Sequence, residues 1–153
     1  MQTIETDVIV IGAGPAGLCL ARALDGSGLR VTLLEREAEA TLRAPAFDGR
    51  EIALTQRSVR SLRGMGMWSR FPADECHPLC EAHVLDTDLR EPLKVGGGDE
   101  PLGWLVPNHA IRAAAFDAAM ESRHLMLHAG VRVVGDETDL SCARVRLEDG
   151  RAF

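Results

Sequence analysis

Residues 7–36 read DVIVIGAGPAGLCLARALDGSGLRVTLLER, and this stretch decides the fold. Val8–Ile11 is a continuous β-branched run, the pattern of a strand covered on both faces in a parallel sheet. Residues 15–27 follow as a helix. Leu18, Leu20, Ala21 and Leu24 supply its apolar side and Arg22 and Asp25 its wet side, and Gly26 and Gly28 stop it. Residues 30–35 form a second short strand. Strand, helix and strand within about 30 residues make a βαβ unit, whose crossover is right-handed.

The turn between the first strand and the helix is Gly12-Ala13-Gly14-Pro15-Ala16-Gly17. In this G-x-G-x-x-G spacing, Gly12 permits the tight turn, Gly14 lets a pyrophosphate approach the backbone, and Gly17 allows the helix to pack closely on the strand. Pro15 and Ala16 open the helix, whose amino end presents N–H groups and a partial positive charge to an anion. Glu35, at the end of the second strand, stands where one carboxylate can accept from both hydroxyls of a ribose held at that turn. The same carboxylate would repel a 2′-phosphate. The spacing does not separate FAD from NAD.

Working outward, residues 37–49 read as a polar loop containing Pro45. Residues 55–65 read as a helix with Val59 and Leu62 inward and Arg57, Arg60 and Arg63 on a solvated face. Residues 81–86 and 103–106 read as strands separated by the Gly96-Gly97-Gly98 loop. Residues 108–121 give a helix that Asn108 can cap. Leu125–His128 would be the third parallel strand, and residues 131–134 and 144–148 an antiparallel pair. Asp149-Gly150 signals a hairpin turn, so the chain ends as its next strand begins. The fold class is α/β: a parallel sheet in the order 3-2-1 with two crossover helices and a smaller antiparallel portion.

Composition narrows the role. The chain has 153 residues and a formal net charge of −6, which argues against nucleic acid as the main partner. Residues 1–7 hold two acids and no base, unlike a secretion leader, and the apolar run at Val8–Ile11 is too short to cross a bilayer. No transmembrane segment is expected, and a reducing, cytoplasmic setting is the default. Cys19, Cys76, Cys80 and Cys142 do not form a disulfide framework. Cys76-His77-Pro78-Leu79-Cys80 has metal-compatible residue types, but Pro78 interrupts it; His124 and His128 flank a strand entry and so share no helix face. No metal site is expected.

Residues 7–36, followed by PAFDGREIAL at 45–54 and LGWLVPNHAIR at 102–112, resemble the class A flavoprotein aromatic hydroxylases. The later two segments are similar to the ubiquinone-biosynthesis hydroxylases, and within them to the subgroup that acts at C5 of the demethoxyubiquinol ring. The resemblance runs along the whole chain and implies one Rossmann-like FAD-binding domain over residues 1–153, the amino-terminal part of a longer enzyme. By position it places the FAD pyrophosphate at Gly12, Gly14, Pro15, Ala16 and Gly17, the adenosine ribose at Glu35, and Arg36 beside the adenosine. It places Arg50 at the pyrophosphate, where two parallel donors suit phosphate oxygens. Asn108 falls near the phosphates; helix capping and this role remain open together.

The implied activity is NAD(P)H-dependent monooxygenation of a small quinol-like aromatic ring, the flavin doing the chemistry while the protein orients and excludes water. No residue here is assigned as catalytic. The later FAD motif and the substrate-covering sheet are expected to be missing, so that this portion alone is expected to lack hydroxylase activity and to bind FAD poorly. Peripheral membrane or multiprotein association stays open. The rivals are another FAD-dependent oxidoreductase sharing this amino terminus, and a truncated dinucleotide-binding module without catalysis.

Overall fold

The computed structural model describes residues 3–85 and 91–153. In chain order the elements begin with β1 (Val8–Ile11), α1 (Pro15–Ala23), β2 (Val31–Leu34) and α2 (Glu39–Arg43). Then come β3 (Glu51–Thr55), α3 (Gln56–Gly64), β4 (His77–Leu79), β5 (Glu81–Val84), β6 (Leu93–Gly96) and β7 (Gly103–Pro107). The last are α4 (Asn108–Met120), β8 (Leu125–His128), β9 (Val133–Thr138) and β10 (Ala143–Leu147). They fall into two compact units, one of the residues up to Ala46 with Arg112–Phe153 and the other of Phe47–Ile111.

The first unit is built on a parallel sheet of order β1-β2-β8. β2 is central, and all four of its residues are buried. β1, whose sequence reads as a strand covered on both faces, lies at an edge with only Val10 buried and Ile11 55% exposed. The physical reason is that β1 is hydrogen-bonded on one side only, to β2, among the described residues. α1 buries Leu18 and Ala21, three residues apart on one face. Leu20, expected inward, lies off that face and is exposed.

β9 and β10 pair antiparallel, and Leu34, Val145, Leu147 and Phe153 form a buried cluster that joins this hairpin to the parallel sheet. After the turn at Gly150, which has φ +87°, the chain doubles back along β10. Val145 and Phe153 exchange two backbone hydrogen bonds of 2.9 Å, and the Ile4 N–H donates to the Ala152 carbonyl. Residues 151–153 therefore pair with both β10 and the amino-terminal segment.

The second unit carries an antiparallel sheet of order β3-β7-β4 and a separate ribbon of β5 and β6. Thr55 caps α3 by accepting from the Ser58 N–H, and Val59 and Leu62 face inward, as the sequence predicts. Arg63 lies over the Trp68 ring. Several elements differ from the sequence expectation. The polar loop at 37–49 contains the short α2, and β3, β4 and β6 are strands that the sequence pattern does not announce. The strand expected over 81–86 is β5, ending at Val84; Asp86 lies outside the described residues.

Candidate functional site

The glycine turn is shaped by two different demands. Gly12 has φ +100°, a left-handed conformation that disfavours any side chain. At Gly17 a Cβ would collide with the Gly12 carbonyl oxygen and press on Val10, so close helix–strand packing sets this residue. Gly14 is set by neither. Its φ of −73° is open to any residue, and nothing in the protein lies within 4 Å of where its Cβ would stand. A glycine that the fold itself does not require, at the mouth of a turn, fits the approach of an outside group to the backbone.

α1 starts directly from this turn with Pro15 in its first turn, no acidic side chain there and no side-chain cap. The first N–H groups of a helix have no intrahelical acceptor. An anion at this end would therefore meet donors and the positive end of the dipole without a competing carboxylate.

Glu35 follows β2 directly, and its carboxylate faces the glycine turn as the spacing predicts. Oε2 accepts from the Ala13 N–H at 2.6 Å, and Oε1 accepts from the Glu37 N–H at 2.8 Å. Each oxygen keeps a further lone pair for a hydroxyl donor. A cavity of about 320 Å³ opens here, lined by Gly12, Glu35, Arg36, Val131 and Arg132 among others. Arg36 is well exposed and 3.6 Å from Glu37. Val131 and Arg132 are lining residues that the sequence does not reveal. They arrive because the segment after β8 is tied back, the Val131 N–H donating to the Glu35 carbonyl at 2.9 Å.

The other two candidate residues, Arg50 and Asn108, meet in the second unit, around a residue the sequence reading passed over. Asp48 Oδ2 accepts from Arg50 Nε and NH2, at 2.9 and 2.6 Å, and from Asn108 Nδ2 at 2.8 Å. The Arg50 guanidinium first, and the Asn108 amide second, hold the Asp48 carboxyl well below the usual carboxylate range. The Asn108 N–H also donates to the Arg50 carbonyl. Asn108 is thus buried as the first residue of α4 with its amide engaged by Asp48. Arg50 stays 65% exposed, so part of its donor fork remains in solvent.

Among the described residues no group of three or more metal-capable side chains is suitably placed. Burial pushes the Cys76 thiol up, and Glu75 and Asp74 push it further, the opposite of an activated nucleophile. Cys19 is likewise raised by burial.

A glycine turn at a helix amino terminus, with a carboxylate reaching back to it from the next strand, defines a dinucleotide-binding protein of the Rossmann-like class. Residues 5–150 match the FAD binding domain family, and the chain belongs to it. It is 40% identical to the ubiquinone hydroxylase UbiM of Neisseria meningitidis, over 98% of this chain and 34% of that protein. It is 31% identical to the 3-demethoxyubiquinol 3-hydroxylase of Escherichia coli, over 77% of this chain and 31% of that protein. Among solved structures it is similar to the anhydrotetracycline hydroxylase OxyS of Streptomyces rimosus, with a TM-score of 0.72 and 27% identity over 98% of this chain and 30% of that one. The chain spans about a third of the length of the curated relatives it matches.

Proposed function

We propose that this chain holds FAD for an aromatic-ring monooxygenase that uses NAD(P)H and hydroxylates a quinol-like precursor of ubiquinone. The observation that carries the reading is the carboxylate of Glu35 bonded to the backbone of the Gly12–Gly17 turn. It holds a carboxylate acceptor near Gly14, where nothing in the protein lies within 4 Å of a Cβ position, and this supports a ribose beside a pyrophosphate. Gly14, Pro15, Ala16 and Gly17 take the pyrophosphate at the start of α1, Glu35 takes the adenosine ribose, and Arg36 flanks the adenosine. Arg50 and Asn108 enter as phosphate-side residues through the resemblance of their segments. FAD, when bound, supplies the redox chemistry; this chain's part is to hold and orient the adenosine and pyrophosphate.

The choice of ring rests on likeness to the ubiquinone hydroxylases, of which the UbiM relative is more similar than the 3-demethoxyubiquinol enzyme. The test is genetic. Disrupting the gene should leave cells with a ubiquinone precursor lacking one ring hydroxyl, detected by mass, and the intact gene should restore the quinone. Unchanged ubiquinone in the disrupted cells would refute the assignment.

A further inference from the structure

Asp48 has no role in the proposed function, yet four donors converge on its carboxylate. Gly49, with φ +70°, turns the chain so that the side chain before it meets the backbone after it. The Arg50 N–H donates to Asp48 Oδ1 at 3.2 Å and closes a short side-chain turn. The acid is anchored from α4 as well. The Asn108 amide reaches Oδ2, and the Asn108 N–H donates to the Arg50 carbonyl at 2.8 Å. Asn108 is buried, so Asp48 is a fixed point.

What Asp48 holds is a guanidinium, and by one edge. Arg50 Nε and NH2 both donate to Oδ2, which occupies the side edge of the planar group. NH1 makes no hydrogen bond among the described residues, so the end edge, NH1 and NH2, still offers N–H groups. That edge is a fork able to take two oxygens of one phosphate. The side chain of Asp48 is 27% exposed and that of Arg50 65%, so the acid is the anchored partner and the arginine the outward one.

Two effects oppose each other here. The Asp48 charge weakens the pull of the guanidinium on an incoming anion. Against that, the clasp removes rotamer freedom in advance, which binding would otherwise have to remove. The carboxylate is shared among four donors, so only part of its charge falls on the guanidinium. Orientation outweighs neutralisation.

We propose that Asp48 is a positioning residue for the cofactor, clasping the side edge of Arg50 so that its end edge stands ready for phosphate oxygens. The place of Arg50 at the pyrophosphate rests on the proposed function; the role of Asp48 rests on the contacts just described.

The experiment is a double-mutant cycle on the full chain, with FAD as the probe and folding followed by circular dichroism. With Arg50 present, Asp48→Asn should weaken FAD about three- to tenfold, the cost of ordering a long side chain on binding. In the Arg50→Ala background the same change should tighten FAD, because a negative charge is gone and no guanidinium is left to orient. A purely structural tie between the loop and α4 would weaken FAD by the same factor in both backgrounds, and that result would overturn the proposal. Tighter FAD in Asp48→Asn alone would overturn it too, by marking the acid as a competitor for Arg50. A measurement on the wild type covers a variant that fails to fold. The Arg50 Nε–H proton signal in NMR, identified by its loss in Arg50→Lys, should exchange slowly and persist at saturating FAD. Its disappearance as FAD binds would show Arg50 leaving Asp48, against the proposal. Arg50→Ala that binds FAD as tightly as wild type removes the phosphate role itself, and the proposal with it. A harmless Asp48→Asn beside a weakened Arg50→Ala removes the proposal alone.

Discussion

Glu35 illustrates how much one residue reveals before any coordinates. The length of a βαβ unit fixes where the second strand ends relative to the first turn, so an acid at that position must face the glycines, and it does. Asp48 was not legible in the same way. An aspartate in a Pro- and Gly-containing loop has no periodicity to read, and its importance lies in pairing with Asn108, brought to it only by β3–β7 pairing. The pairing changes what Arg50→Ala should do. On the proposed pyrophosphate role it removes a charge-assisted contact, worth about 1.5–3 kcal/mol, so FAD should loosen about tenfold or more by equilibrium titration. It also strips Asp48 of its guanidinium partner, leaving the Asn108 amide and the backbone N–H of residue 50, so Asp48→Asn in the same background should recover part of the loss. Unchanged FAD affinity in Arg50→Ala would make Arg50 a loop residue whose role is to satisfy Asp48.

The elements with dense apolar sequence were the legible ones. β2 and α4 carry dense apolar sequence because they lie inside, and Leu125–His128 was placed correctly as the third parallel strand. β6, with all four residues exposed, and β4, with two of three exposed, have no buried face to impose alternation, so sequence pattern passes them by. α2 is one short turn of helix in a polar stretch, too brief to show a helical period. The βαβ element also gives a sharp prediction. Gly17→Ala forces a methyl group against the Gly12 carbonyl and Val10, an overpacking expected to cost about 1–3 kcal/mol, measured as a lowered thermal midpoint. Gly14→Ala meets only open space, so it should leave the midpoint nearly unchanged while weakening FAD. A Gly14→Ala protein that binds FAD as tightly as wild type would show that no ligand approaches that backbone.

At the scale of the whole molecule, the end of the chain is held by a pH-sensitive contact. His128 packs edge-on against Phe153 at 4.9 Å, and its Nδ1 lies 3.2 Å from Arg151 NH1. Burial first, and the Arg151 charge second, push the imidazole below its ordinary pKa. The unfolded chain therefore takes up this proton before the folded one does, so the contribution to stability is whole above about pH 6.5 and is lost as pH falls below it. Thermal midpoints between pH 7.5 and 5.5 should fall more steeply for wild type than for His128→Gln; parallel slopes would show that His128 does not report on this contact. No helix among the described residues is long and apolar enough to cross a membrane. Among the described residues β1 has no strand on its outer edge, beside a groove lined by Ile9, Ile11, Ala143 and Val145, among other residues. An edge of this kind favours pairing with another chain, so light scattering should show concentration-dependent association.

The account turns on whether the Gly12–Gly17 turn and Glu35 together hold the adenosine half of FAD. The most direct measurement is a titration of the purified chain with FAD, wild type beside Glu35→Ala, with folding of both verified by circular dichroism. Weak but saturable binding to the wild type, which falls at least about tenfold further in the folded variant as loss of a charged acceptor from two ribose hydroxyls requires, is the predicted result. FAD bound equally well with and without the Glu35 carboxylate would contradict it.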